Sequence, residues 1–258
     1  MGEFSQVERD GRILIVTIDR PEVLNALHAP AHRELAGVFD EFAADPDLWV
    51  AIVTGAGDRA FSAGNDLKYQ AAGGDRSNQP ASGFAGLTFR YDLNKPVIAA
   101  VNGLAMGGGF EIALACDIIV AAETAVFALP EVRVGLAALA GGLHRLPRLI
   151  GTKHAMGMIL TGRRVTAAEG VALGFVNEVV PAGEAMAGAR RWADQILEVS
   201  PMSVRASKEA VYRGLDHASL EEAIAGSYPA VEEMQRSADY VEGPRAFAEK
   251  RAPQWSGR

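Results

Sequence analysis

Apolar residues follow two rhythms along this chain. Over residues 1–200, short unbroken apolar runs recur: Ile13-Leu-Ile-Val-Thr-Ile18, Trp49-Val-Ala-Ile-Val-Thr54, Pro96-Val-Ile-Ala-Ala-Val-Asn102, Ile118-Ile-Val-Ala-Ala122, Ala125-Val-Phe-Ala-Leu129 and Phe175 to Val180. Runs of this length and β-branched content predict strands, and the pair flanking residues 103–117 predicts buried ones. Between them the spacing turns helical. Leu35, Val38, Phe39 and Phe42 predict a helix over Pro30 to Ala43, which Asp45-Pro46-Asp47 ends. Leu87 to Leu93, Leu143 to Ile150 and Lys153 to Leu160 read as short helices. Another is expected over Thr166 to Leu173, where Thr166 followed by Glu169 is a capping-box signal. Ala71 to Gly86 is rich in Gly, Ser, Asn and Pro, which predicts a long, mobile surface loop. From Glu184 the pattern is helical almost throughout, with helices expected over 184–199, 201–214, 219–236 and 237–251. Pro201 suits a first helical position. The chain therefore divides into a mixed α/β part, residues 1–200, and a helical region, residues 201–258.

Composition narrows the class. With 258 residues, 49% hydrophobic and 22% charged, the chain has enough apolar surface for one sizeable core. Its formal net charge of −7 argues against a nucleic-acid partner. The single cysteine, Cys116, lies in an apolar run and reads as a buried structural thiol. No C-x₂-C or H-E-x-x-H pattern points to a metal. The polar, acidic N-terminus lacks a signal core. The longest apolar region, Val97 to Ala122, is interrupted by Asn102, Glu111 and Asp117, so no membrane span is expected. A soluble protein, cytoplasmic if bacterial, is expected from these features.

The candidate chemistry centres on Gly103-Leu-Ala-Met-Gly-Gly-Gly-Phe-Glu111-Ile-Ala-Leu-Ala-Cys-Asp117. The three consecutive glycines permit close backbone approach to a ligand. Phe110 to Ala115 reads as a short helix, whose first turn offers unpaired N–H groups and the positive end of a dipole. Ser62-Ala-Gly-Asn65 is a similar small-residue turn between a strand and a helix, with Asp66 placed to cap that helix. Two such turns can each aim one N–H at a common point, the recipe for an oxyanion hole. Glu111 and Glu131 each follow a strand and turn in apolar surroundings. Paired carboxylates of that kind take different pKa values and divide acid and base roles. Each glutamate taken alone reads equally well as a capping or surface residue. His28, His32 and His144 read as packed or surface residues, and Ser62 is not in a nucleophile elbow.

Taken together these segments resemble the crotonase, or enoyl-CoA hydratase/isomerase, superfamily. The matching stretches are Arg20-Pro-Glu-Val-Leu-Asn-Ala-Leu27, Ala60-Phe-Ser-Ala-Gly-Asn-Asp-Leu-Lys68, Lys95-Pro-Val-Ile-Ala-Ala-Val-Asn-Gly103, Gly107-Gly-Gly-Phe-Glu111, Cys116-Asp117, Phe127-Ala-Leu-Pro-Glu131 and Phe247-Ala-Glu-Lys250. Within it, Gly83 to Thr88 and Glu242 to Arg251 resemble the carnitinyl-CoA dehydratase (crotonobetainyl-CoA hydratase) branch. The resemblance implies an α/β fold, a spiral of ββα turns with a C-terminal helical region that serves oligomerisation. It implies a homotrimer or homohexamer, an acyl-CoA thioester substrate and no separate cofactor, coenzyme A being part of the substrate. It assigns the backbone N–H groups of Asn65 and Gly108 to the oxyanion hole. Glu111 is assigned to activating the water that adds at C3, and Glu131 to protonating C2. Asn65, Asp66, Leu67, Lys68 and Gly108 are implied to line the coenzyme A and substrate site, and Phe247 and Lys250 to reach the coenzyme A of a neighbouring subunit.

Two positions depart from the carnitinyl branch. Ala138-Leu139 stands where that branch has Pro-Asp, and Asn65 where it has a bulky aromatic. Leu139 cannot attract a trimethylammonium group. These departures favour a more neutral acyl group and leave the hydratase glutamates untouched. Hydration of a trans-2-enoyl-CoA is therefore the leading expectation. Crotonobetainyl-CoA/carnitinyl-CoA hydration, enoyl-CoA isomerisation and a non-catalytic acyl-CoA- or RNA-binding role are the alternatives.

Overall fold

The computed structural model describes residues 2–75 and 79–258. Its strands are β1 Ser5–Asp10, β2 Ile13–Ile18, β3 Val50–Gly55, β4 Ala60–Ser62, β5 Val97–Val101, β6 Leu104–Met106, β7 Ile118–Ala122, β8 Val126–Ala128, β9 Val165–Thr166 and β10 Glu178–Val180. Its helices are α1 Ala29–Ala44, α2 Leu67–Ala71, α3 Gly108–Ala115, α4 Gly142–Ile150, α5 Thr152–Thr161, α6 Ala167–Leu173, α7 Ala185–Leu197, α8 Pro201–Gly214, α9 Leu220–Ala225, α10 Pro229–Arg236 and α11 Ala238–Glu249.

Of the unbroken apolar runs, that over 125–129 gives β8 of a second sheet. The run over 175–180 gives the edge strand β10, and the other four give the inner strands β2, β3, β5 and β7, of a sheet ordered β1-β2-β3-β5-β7-β10. All its neighbours pair in parallel except β1 with β2. Successive side chains point to opposite faces, so a strand covered on both sides needs apolar residues at every position. Leu14, Val16, Ala51, Val53, Val97 and Ala99 enter one core with α1 and α3. Their neighbours Ile13, Ile15, Val50, Ile52, Ile98 and Ala100 enter a second core, against α7. Helix α7 presents small residues there, and a Cβ on Gly188 would sit 2.7 Å from Val120 Cγ1.

A second sheet, ordered β4-β6-β8-β9, is assembled one strand at a time. The chain runs β3-β4-α2, then β5-β6-α3, then β7-β8 and a 3-10 turn over Glu131–Val134. This is the expected spiral of ββα turns. Strands β4, β6 and β8 are parallel neighbours.

The structure corrects several expectations. Leu87 to Leu93 is not a helix; a 3-10 turn over Phe84–Gly86 gives way to irregular turns. Positive φ at Gly83, Ala85 and Gly86 makes a continuous right-handed helix into this segment unavailable. The helix expected over 219–236 is two, α9 and α10, because Gly226 is extended and Pro229 starts a new helix. The polar N-terminus contributes β1, and the short β4, β6 and β9 lie outside the predicted strands. Part of the loop expected over 71–86 falls on residues 76–78, outside the described residues.

Candidate active site

Three parallel strands deliver the candidate site to one edge. Asn65 lies three residues beyond β4, Gly108 two beyond β6 and Glu131 three beyond β8. Parallel sheets gather ligand sites at the carboxyl ends of their strands. Gly64 (φ +85°) turns the chain after β4, and Gly107 (φ +54°) after β6. A Cβ on Gly64 would lie 2.6 Å from Met106 O and 2.8 Å from Gly108 N, so the two turns are in direct contact. Only glycine satisfies both the positive φ and the close approach.

Each turn presents a backbone amide. Leu27 N–H donates to Gly64 O at 2.7 Å, and Asp66 N–H donates to Leu27 O at 2.8 Å. That parallel bridge uses the groups on either side of Asn65, so the Asn65 N–H itself faces away from Leu27. Gly108 opens α3, where first-turn N–H groups lack intrahelical acceptors and the helix dipole is positive.

The two carboxylates are held differently. Glu111 lies in the first turn of α3 and is 3% exposed. Its flanking residues Phe110 and Ile112 are fully buried, which anchors this turn of the helix in the core. Gly142 N–H donates to its Oε1 at 2.8 Å. Burial pushes its pKa up from 4.5 to about 7, and the nearby Glu131 charge adds to the rise. The Gly142 and Ala140 amides and Arg145 oppose that rise without cancelling it. Glu131 opens the 3-10 turn and is half-buried. Burial raises its pKa also. Its Oε2 is buried without a hydrogen-bond partner among the described residues. Its Oε1 lies 2.8 Å from where a Cβ on Gly107 would be. Its own backbone N–H opposes the rise in pKa, but a desolvated carboxylate oxygen without a donor is poised to take a proton.

Asn65, Gly108, Glu111 and Glu131 all border one cleft of about 400 Å³. Leu136, Ala137, Leu139 and Ala140 line one part of it, and His28, Tyr69 and Gln70 another. Asp66, Leu67, Lys68, Phe247, Lys250, His144 and Cys116 do not border it. Asp66 is buried; its Oδ1 accepts from Tyr69 N–H at 3.0 Å and its Oδ2 from Arg20 Nη1 at 3.1 Å. Leu67 and Lys68 are exposed beside it. Phe247, 87% exposed on α11, and Lys250, which ends α11 at φ +56°, lie away from their own chain's cleft. His144 is exposed on α4, and Cys116 is buried.

The structure adds residues the sequence did not announce. Gly142 reaches Glu111 across 31 positions. Arg20 ties the Asn65 turn to the chain before α1 through Asp66 and the Ala26 carbonyl. Phe84 enters the cleft wall, as does His32, which the sequence read only as a packed or surface residue. No cluster of metal-ligating side chains and no helix long and apolar enough to cross a membrane occurs among the described residues.

Comparison with known proteins places this geometry. The family model described as enoyl-CoA hydratase/isomerase matches residues 8–258. A carnitinyl-CoA dehydratase from Salmonella typhi is 46% identical over a 266-residue alignment covering all of both chains. The crystal structure of an enoyl-CoA hydratase from Mycobacterium tuberculosis H37Rv superposes with a TM-score of 0.92 at 40% identity, again over all of both chains. A carnitinyl-CoA hydratase from Mycobacterium avium, also 40% identical and fully covered, gives a TM-score of 0.79.

Proposed function

The chain belongs to the enoyl-CoA hydratase/isomerase family, and from that membership we propose that it reversibly adds water across a trans-2-enoyl-CoA to give a 3-hydroxyacyl-CoA. One observation carries the reading: a buried and a half-buried carboxylate share a cleft with two backbone amides presented by touching turns. In hydration the Asn65 and Gly108 N–H groups donate to the thioester oxygen. Glu111 takes a proton from water as its oxygen bonds to C3, and the double-bond electrons move onto the thioester as an enolate. The enolate then collapses and C2 takes the proton from Glu131. Dehydration runs the same path backwards, Glu131 removing the C2 proton and Glu111 protonating the departing hydroxyl. Each oxyanion donor contributes roughly 3 kcal/mol. Each acid or base contributes on the order of 10²- to 10⁴-fold.

The ionisation pattern fits this division. Burial raises both pKa values, that of Glu111 to about 7, so Glu111 can hold or release a proton near neutrality. With the proton on Glu111, the site is set for dehydration; with it on Glu131, for hydration. Asn65, Lys68 and the neighbouring backbone take the coenzyme A, and Phe247 and Lys250 serve a neighbouring subunit in a trimer or hexamer.

The acyl group is set by the cleft wall. Leu136, Ala137, Leu139 and Ala140 place no charge there, which favours a neutral chain. The 46% identity to a carnitinyl-CoA dehydratase favours a second reading, an acyl group carrying a quaternary ammonium. A panel of crotonyl-, hexenoyl- and crotonobetainyl-CoA, followed by loss of enoyl absorbance, separates the two. Glu131→Gln that folds and binds thioesters is expected to lose about 10²-fold or more of the hydration rate. Undiminished turnover would sink the paired-glutamate mechanism. A 3-enoyl-CoA converted faster than its 2-enoyl isomer is hydrated would point to isomerisation instead.

A further inference from the structure

His32 stands in the wall of the cleft with one ring nitrogen in use and one idle. It lies on the first half of α1 and is 2% exposed. Ala85 N–H donates to its Nδ1 at 3.0 Å, a bond spanning 53 positions. Accepting at Nδ1 leaves the hydrogen of the neutral ring on Nε2. Nε2 has no partner among the described residues. The ring stays neutral near physiological pH, since burial lowers its pKa to about 4, with His28 and Arg33 acting the same way.

The ring's position gives the idle donor meaning. His32 packs on Phe84 with ring centroids 4.3 Å apart. The tip of the Phe84 ring abuts Gly108, where an added Cβ would lie 2.5 Å from Phe84 Cζ. His32 is therefore one aromatic ring removed from the Gly108 amide, and it borders the same cleft as Glu111 and Asn65. An Nε2–H with no acceptor among the described residues, on a ring that borders the cleft, is available to a ligand that supplies one.

We propose that His32 is a binding residue of the thioester site, donating its Nε2–H to a carbonyl or hydroxyl oxygen of the bound ligand. The proposal rests on the cleft being the thioester site. Two parts of such a ligand carry that oxygen: the acyl group and the pantetheine arm.

Two variants separate ligand binding from support of the fold. His32→Asn keeps an acceptor for Ala85 N–H at the Nδ1 position and removes the Nε2 donor. His32→Gln keeps a donor near Nε2 and gives up the acceptor. Calorimetric titration of the full-length protein with free CoA, butyryl-CoA and 3-hydroxybutyryl-CoA reads the effect. His32→Asn is expected to raise Kd by about 3- to 10-fold, the range for one lost hydrogen bond, while His32→Gln stays nearer wild type. A rise shared by free CoA places the oxygen on the pantetheine arm; a rise confined to the thioesters places it on the acyl group. Wild-type affinity in His32→Asn for all three ligands overturns the proposal. So does the reverse order, with His32→Gln weakened and His32→Asn intact, because that is the signature of a purely structural Nδ1 contact. Failure of the wild-type protein to bind any thioester would instead overturn the hydratase reading.

Discussion

Replacing Glu111 with Gln is expected to make the protein more stable and less active, and to do so with a particular pH dependence. The side chain is 3% exposed and its pKa is pushed from 4.5 to about 7, chiefly by burial. A carboxyl whose pKa is raised on folding binds its proton more tightly in the native state. Its ionisation therefore opposes folding: the cost is absent below the unfolded pKa, grows between 4.5 and about 7, and is complete above. At 1.36 kcal/mol per pH unit, the full cost is about 3 kcal/mol. Gln keeps the shape, and its amide oxygen can still accept from Gly142 N–H, but it carries no charge. Urea unfolding of both proteins at one fixed concentration, from pH 5 to pH 8, reads the difference. The variant's advantage should be under about 1 kcal/mol at pH 5 and should grow by roughly 2.5 kcal/mol by pH 8. Its hydration rate should fall by about 10²-fold or more. A stability difference that does not change with pH would refute the claim that Glu111 is desolvated in the folded chain.

Gly64→Ala adds a Cβ 2.8 Å from Gly108 N at a position with φ +85°, so it should force the two amide-bearing turns apart and lower kcat by about 10²-fold, measured by steady-state hydration. Leu139→Asp places a carboxylate on the cleft wall at a residue 74% exposed; at about 1 kcal/mol for a solvated charge pair, kcat/KM for a quaternary-ammonium acyl-CoA should rise about fivefold relative to crotonyl-CoA. Phe247→Ala removes a ring that is 87% exposed in the single chain, so it should raise KM by up to about tenfold with kcat unchanged if that ring covers a neighbour's coenzyme A, and should do nothing if it does not.

What the sequence revealed followed from the range over which each feature acts. Strands β2, β3, β5 and β7 are covered on both faces, so their apolar runs are continuous and easily read. Strand β1 is an edge strand, buried only at Ser5, and its position comes from pairing with β2 rather than from apolar content. Strands β4 and β6 have three residues each, too few to show a period. The turns at Gly64 and Gly107 were legible because each is a local glycine signal beside a strand. The donor that Gly142 gives Glu111 and the support that Arg20 gives Asp66 span 31 and 46 positions, and no local pattern encodes them. The segment after Phe84 misled for the same reason: its apolar residues suit a helix, but Gly86 packs directly on Ala36 of α1, and that contact fixes the backbone instead.

The asymmetry between the two glutamates has its source in the spiral itself. Each ββα turn sends its chain to the same edge of the small sheet, but only the second turn continues into a helix buried on all sides. Glu111 inherits that burial, because Phe110 and Ile112 on either side of it are anchored in the core. The third turn ends in a short 3-10 segment whose next residues, Val132 and Val134, are exposed. Glu131 is therefore shielded by the Gly107 turn rather than by its own helix. Two carboxylates in equal surroundings would compete for one proton without preference. Unequal burial favours its residence on Glu111, the arrangement that in the proposed dehydration leaves Glu131 to take a proton from C2 and Glu111 to give one to a departing hydroxyl. Helix burial at one turn and its absence at the next thus make the two carboxylates unequal partners for one proton.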